Sequence, residues 1–249
     1  MCLGIGVNYM KGIILAGGTG SRLYPLTKVT NKSLLPIGDS PMLYRMINLL
    51  TLSGISDIML ITGPEHMGQV ISLLGSGADL GCSMTYRVQD VANGIAAALK
   101  LCRNFCAQEK FAMILGDNIF SDHSAIAGQV KAFGESSDDY LLFAKEVPDP
   151  HRFGVPVYRG DKVVDIIEKP SIPPCNKAIV GLYCYTVEAF EVIDTLRPSA
   201  RGEYEISDVS SWFVKNKKGN IFDVECEWID AGTHESYRKA NEIIWRAST

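Results

Sequence analysis

Gly12-Ile13-Ile14-Leu15-Ala16-Gly17-Gly18-Thr19-Gly20-Ser21-Arg22 opens the ordered reading of this chain. Residues 13–16 are uninterrupted apolar and predict a buried strand. Three glycines within four positions follow, then a hydroxyl residue and an arginine. A strand that runs straight into such a turn leaves several backbone N–H groups free to converge on an anion. Glycine matters here because the backbone must approach a phosphate closely, in places at positive φ. Arg22 adds a fixed cation whose fork matches phosphate oxygens. The pattern is neither the dinucleotide fingerprint G-x-G-x-x-G nor a P-loop, which ends in G-K-[ST]. A glycine-rich connector without a ligand is the competing reading. Lys28 and Lys32 complete one arginine and two lysines within eleven positions, a cradle for a triphosphate. Taken singly, each lysine also fits solvated surface, Lys28 above all.

Working outward, apolar strand-like runs alternate with helical periodicity. Strands are predicted over 57–62, 82–88 and 111–115, and helices over 41–53, 67–74 and 94–102, the first opened by Pro41 and stopped by Gly54. This βαβα order predicts an α/β fold, a mostly parallel sheet covered on both faces. Ligands of such sheets sit beyond the carboxyl ends of the strands. The glycine loop, Gln89 and Asp117 each follow a predicted strand and should therefore meet at one edge. Residues 154–159 and 162–168, joined through Gly160-Asp161, read as a hairpin. A strand over 178–185, a helix over 187–196, a helix over 206–215, a strand over 221–227 and a closing helix over 234–246 complete the reading. No low-complexity linker interrupts it, so residues 10–249 read as one domain: a first part over about 10–120, a carboxyl-side part over about 121–233 that forms half the cleft, and the closing helix. Residues 1–9 read as an N-terminal extension.

Composition narrows the function. The 249 residues are 47% hydrophobic and 21% charged, ordinary for a globular protein. The net charge of −4 argues against a broad surface for nucleic acid or acidic lipid, so any phosphate recognition is local. No run of about 18 apolar residues predicts a spanning helix, and residues 1–9 lack the basic start of a secretory signal. Seven cysteines, at 2, 82, 102, 106, 175, 184 and 226, form no C-x-x-C pair. Cys102 and Cys106 share a helical face but lack a second ligand pair for zinc. Reduced buried thiols in the cytoplasm fit better. The four histidines stand beside no nucleophile motif.

Two carboxylates repeat one pattern. Asp117 follows Phe111-Ala112-Met113-Ile114-Leu115-Gly116, and Asp230 follows Trp228-Ile229 and precedes Ala231-Gly232-Thr233. A carboxylate at the end of a buried strand can hold Mg²⁺, or it can cap a turn. Two such groups can share one octahedral ion with substrate phosphates.

Gly17-Gly18-Thr19-Gly20-Ser21-Arg22-Leu23 with Lys32-Ser33-Leu34-Leu35-Pro36 resembles the signature of sugar-phosphate nucleotidyltransferases. Leu115-Gly116-Asp117-Asn118-Ile119-Phe120, Glu168-Lys169-Pro170, Gly181-Leu182-Tyr183, Arg201-Gly202-Glu203-Tyr204-Glu205-Ile206-Ser207-Asp208 and Trp228-Ile229-Asp230-Ala231-Gly232-Thr233 extend the likeness in order. Over residues 10–245 the chain is similar to glucose-1-phosphate thymidylyltransferases, particularly short forms of the spore-coat polysaccharide type. The resemblance implies a Rossmann-like nucleotide-diphospho-sugar transferase fold with a carboxyl-side sugar-binding lobe. It implies catalytic roles for Arg22, Lys32 and Lys169, and a nucleotide site at Leu15, Ala16, Gly17, Gly18, Thr19, Gly20, Ser21, Arg22, Lys32, Gln89, Gly94 and Asp117. Gln89 would read the imide edge of thymine or uracil, because an amide both donates and accepts. The sugar-phosphate site would comprise Asn118, Phe153, Gly154, Glu168, Lys169, Val180 and Tyr183, and Asp117 and Asp230 would hold Mg²⁺. Read without the resemblance, Glu168-Lys169-Pro170 is a solvated turn and Tyr183 is core packing.

The implied reaction joins dTTP and glucose 1-phosphate into dTDP-glucose and pyrophosphate. The alternatives are a UTP-dependent uridylyltransferase acting on a hexose 1-phosphate and an inactive nucleotide- or sugar-sensing subunit. A dehydrogenase is disfavoured by the missing fingerprint. Asp90 and Ala92 stand where the commonest family form has prolines, and Ser33 replaces its glutamine. Small-molecule substrates are the expected partners, and a homo-oligomer is compatible. Longer relatives extend past the last helix into segments tied to tetramer contacts and feedback control. With Thr249 ending this chain, that regulation is not expected here.

Overall fold

A computed structural model describes residues 10–247, with side chains to residue 246. The reading of residues 1–9 as an extension falls outside the described residues. Seven strands form the main sheet: β1 (Lys11–Leu15), β2 (Asp57–Thr62), β3 (Ser83–Val88), β4 (Phe111–Leu115), β5 (Tyr140–Glu146), β6 (Lys177–Tyr185) and β7 (Gly219–Asp223). Their spatial order is β7-β5-β6-β4-β1-β2-β3. All run parallel except β6, which pairs antiparallel with β4 and β5. The expected mostly parallel α/β sheet is therefore present.

The central strands read as continuous apolar runs because helices cover both faces. Ile13 and Ile14 are adjacent in β1 and fully buried, yet they point into opposite cores. One core joins Ile14, Ala112 and Ile114 to the helix Met42–Leu52. The other joins Ile13, Phe111 and Met113 to the helices Ile95–Lys100, Glu188–Thr195 and Ile206–Asn216. Pro41 immediately precedes the helix Met42–Leu52, and Gly54 follows its end at φ +81°. The hairpin forms as expected: Gly154–Arg159 pairs antiparallel with Lys162–Glu168, and Gly160 turns at φ +60°.

Two regions depart from the sequence reading. Residues 118–146 carry a short strand Asn118–Phe120, a helix Ser124–Glu135 and β5, none of them assigned from sequence. Gly128 and Gly134 dilute the helical signal, each costing about 1 kcal/mol against alanine. Burial of Ile126, Ala127, Val130 and Phe133 holds the helix nevertheless. The strand expected over 221–227 is a correction. β7 ends at Asp223, and a separate strand, Trp228–Asp230, pairs antiparallel with Asn118–Phe120. The Val224 N–H still donates to the Ala144 carbonyl (2.8 Å), residues 225–227 leave the edge of the main sheet, and Asp230 comes to stand opposite Asn118.

Cys102, Cys106 and Cys184 are buried. Burial pushes the Cys106 thiol up to about 12. Among the described residues, no helix is long and apolar enough to cross a membrane.

Candidate active site

A cavity of about 380 Å³ opens beyond the carboxyl ends of β1, β3 and β4. Gly17, Gly18, Arg22 and Lys32 line it after β1, Gln89 and Gly94 after β3, and Asp117 and Asn118 after β4. The segments that the parallel sheet was expected to gather at one edge do meet there. Buried hydrogen bonds shape the glycine loop. The Asn31 amide donates to the Ala16 carbonyl (2.7 Å), and the Thr27 hydroxyl donates to the Gly20 carbonyl (2.6 Å). Gly20 turns at φ +64°, a conformation that favours glycine. At Gly17 a methyl would stand 2.8 Å from Gln89 Oε1, so the loop packs close against that side-chain amide. Leu15 reaches the wall, Ala16 is buried, and Thr19, Gly20 and Ser21 stand outside the wall.

The middle of the cavity is acidic. Lys32 forms an ion pair with Asp117. The Asn118 amide donates to Asp117 Oδ1 (3.0 Å), while its own oxygen accepts the Gly181 N–H and the Trp228 indole N–H, both at 2.8 Å. Asn118 is thus a knot between the end of β4, β6 and the strand that carries Asp230. Burial alone would raise the Asp117 carboxyl, but Lys32 and the Asn118 amide hold it below the ordinary range. Asp230 differs. Burial, and then the Asp117 charge, raise it to about 6 against the pull of Lys32, Arg22 and Arg152. Its Oδ1 is buried with no hydrogen-bond partner. A methyl on Gly232 would fall 2.8 Å from that oxygen and 2.9 Å from Arg22 Nη2, so both groups crowd one glycine. Two mutually repelling carboxylates, one with an orphaned oxygen, make a donor set that fits Mg²⁺, an ion that takes few protein ligands and completes its shell with water and phosphate. Among the described residues, no group of three or more histidines, cysteines or carboxylates forms a metal cage.

The far end is built from the hairpin and the segment before the helix Ile206–Asn216. Phe153, Gly154, Glu168, Lys169 and Tyr183 line it. Lys169 adopts φ +42°, rare for a residue with a side chain, and its N–H donates to the Phe153 carbonyl (2.9 Å). The same residue pairs with Glu168 at 3.3 Å. Burial, then Glu168 and Asp117, keep the Tyr183 hydroxyl protonated. Val180 is buried in the core, and Gly181 reaches the wall in its place. A methyl on Gly181 would land 2.5 Å from the Asn118 oxygen.

Arg152, Arg201, Glu203, Glu205 and Trp228 also line the cavity, although sequence reading attached no role to them. Arg201 pairs with Glu205 (2.8 Å), Glu203 (3.2 Å) and Glu168 (3.3 Å). The alternating charges of Arg201-Gly202-Glu203-Tyr204-Glu205 were the available signal. Arg152 carries no such signal, since only tertiary folding brings it beside the cavity.

A family model described as nucleotidyl transferase matches residues 11–246. A glucose-1-phosphate thymidylyltransferase of Neisseria meningitidis serogroup A is 40% identical over 238 residues, which is 94% of this chain and 82% of the relative. One of Mycobacterium tuberculosis is 37% identical with the same coverage. A Bacillus anthracis crystal structure described as a glucose-1-phosphate thymidylyltransferase in complex with a sucrose superposes with a TM-score of 0.89 at 49% identity, covering 94% of this chain and 95% of that one. A UDP-glucose pyrophosphorylase complexed with UDP-glucose shares the fold, with a TM-score of 0.85 at 23% identity over 95% of this chain and 98% of that one.

Proposed function

The chain belongs to the nucleotidyl transferase family, and we propose that it transfers a thymidylyl group from dTTP to glucose 1-phosphate, giving dTDP-glucose and pyrophosphate. One observation carries this reading. A single cavity is lined by the glycine loop, Arg22 and Lys32, by Asp117 and Asp230, and by Glu168 and Lys169. In this reading residues 10–120 hold the nucleotide, residues 121–233 hold the sugar phosphate, and the helix His234–Ala247 closes the domain.

A phosphate oxygen of glucose 1-phosphate attacks the α-phosphorus of dTTP. A new P–O bond forms as the bond to the bridging oxygen of the β-phosphate breaks in line, and that electron pair leaves with pyrophosphate. The attacking phosphate is already anionic, so no general base is required. Catalysis then rests on orientation and charge neutralisation. Arg22 and Lys32 stabilise the triphosphate and the departing pyrophosphate. Lys169 holds the attacking phosphate, and its unusual backbone conformation aims it. Glu168 accepts from sugar hydroxyls beside the protonated Tyr183 hydroxyl. Gln89 reads the pyrimidine edge. Asp117 and Asp230 would hold Mg²⁺, which, when bound, neutralises charge on the α-phosphate. The buried thiols Cys102, Cys106 and Cys184 support a reducing compartment, the cytoplasm.

Pyrophosphate release measured with dTTP and UTP against several sugar 1-phosphates tests this. Glucose 1-phosphate with dTTP should turn over fastest. Thymine and uracil differ by one methyl, worth about 1–3 kcal/mol in a pocket. A clear preference for UTP would reassign the base, and no release from any pair would favour a sensing subunit.

A further inference from the structure

Two loops far apart in the chain meet through the backbone of one residue at the cavity. The Tyr204 N–H donates to the Asn93 carbonyl (2.9 Å), and the Tyr204 carbonyl accepts the Ala96 N–H (3.1 Å). Gly94 lies between these bonds at φ +112°. A methyl there would fall 2.5 Å from the Tyr204 oxygen and 2.6 Å from its nitrogen. Position 94 therefore needs glycine twice, for its dihedral and because the Tyr204 backbone fills the space of a side chain.

Both sides of this joint line the cavity. Gln89 and Gly94 lie on one side, and Arg201, Glu203 and Glu205 lie on the other. The second loop is tied within itself. The Ser199 N–H donates to the Glu203 carbonyl (2.9 Å), and the Ser199 hydroxyl donates to Glu205 (2.7 Å). Arg201 then reaches Glu168, the neighbour of Lys169 (3.3 Å). A chain of short contacts thus runs from the segment after β3 to the hairpin end.

We propose that the Tyr204 backbone couples the two substrate sites. A nucleoside seated against Gln89 and Gly94 fixes the wall of Arg201, Glu203 and Glu205, and so tightens binding of the sugar phosphate. This rests on the proposed function, which puts the two substrates at these two ends. The sign follows from ordering. A shared joint loses its freedom once, with the first ligand, and the second ligand is spared that cost. Tyr204 acts through other residues and is a positioning residue.

Isothermal titration of glucose 1-phosphate, with and without saturating thymidine, tests the coupling. Thymidine carries no phosphate, so it does not reach the sugar-phosphate end. In the wild type it should lower the Kd of glucose 1-phosphate at least about fivefold, and glucose 1-phosphate should lower that of thymidine by the same factor. Tyr204→Pro removes the N–H, and Gly94→Ala forces the joint apart. Either should bring the factor close to one, whereas Tyr204→Phe, which keeps the backbone, should retain it. Hydrogen exchange on the wild type needs no variant to fold: thymidine should slow exchange over residues 199–205, and glucose 1-phosphate over 89–96. Wild-type affinities that ignore the second ligand overturn the coupling, as do backbone variants that couple like the wild type. If neither ligand binds, alone or with the other present, the proposed function falls and the coupling falls with it.

Discussion

Asp230 is half-buried, its Oδ1 is buried without a hydrogen-bond partner, and burial with the Asp117 charge pushes its carboxyl up to about 6. A carboxyl that protonates near 6 in the fold and near 3.8 when unfolded stabilises the fold in its protonated form. That contribution is complete below about pH 4, declines between about pH 4 and 6, and is gone above. It amounts to at most about 3 kcal/mol. Asp230→Asn should therefore make the ligand-free protein more stable than the wild type at pH 8, by about 1–3 kcal/mol, with no advantage at pH 4. Urea unfolding at the two pH values measures this, and a variant less stable at pH 8 would refute the assignment. The same variant should be nearly inactive, because a site kept for function is held at a cost in stability. Asp117→Asn should be equally inactive. If the two carboxylates serve one ion, the double variant should be little worse than either single one, and multiplying defects would show independent roles. Arg22→Ala should slow pyrophosphate release at least about a hundredfold, the scale for losing one transition-state charge donor.

Among elements, the two assigned phosphate lysines stand on separate supports: Lys169 directly follows the hairpin Gly154–Arg159 and Lys162–Glu168, and Lys32 opens the short turn Lys32–Leu34. Lys169→Ala should mainly raise the KM for glucose 1-phosphate, and Lys32→Ala mainly that for dTTP. Steady-state kinetics with each substrate varied separates the roles, and equal effects on both constants would merge them. The hairpin and the apolar runs of β1, β2 and β4 were legible because their periods and turn residues are local properties. The strand Trp228–Asp230 was not, because what ends β7 is the remote partner Asn118–Phe120 rather than any turn residue within 224–227. The helix Ser124–Glu135 was hidden by its glycines and is held by packing. Arg152 and Arg201 escaped for a similar reason. Their partners are Asp149 for one and three glutamates for the other, and only the folded chain shows that both face the cavity.

For the whole molecule, the sheet topology makes the site. Parallel strands β1, β3 and β4 end at the same edge, so loops distant in sequence share one cavity. β6 runs against them and delivers Gly181 and Tyr183 to the same cavity. The Asn118 knot joins this strand to the one bearing Asp230. Sequence reading reached the shared edge from the α/β rule, while the antiparallel insertion of β6 depends on its neighbours β4 and β5. The arrangement is suited to attack of the sugar phosphate on the α-phosphorus of the nucleotide. Glucose 1-phosphate labelled with ¹⁸O at all four phosphate oxygens, incubated with unlabelled dTTP and Mg²⁺, tests that chemistry most directly. Mass spectrometry of the products should find all four labelled oxygens in dTDP-glucose and none in pyrophosphate. Label in pyrophosphate, or dTDP-glucose lacking it, would contradict attack by the sugar phosphate on the α-phosphorus.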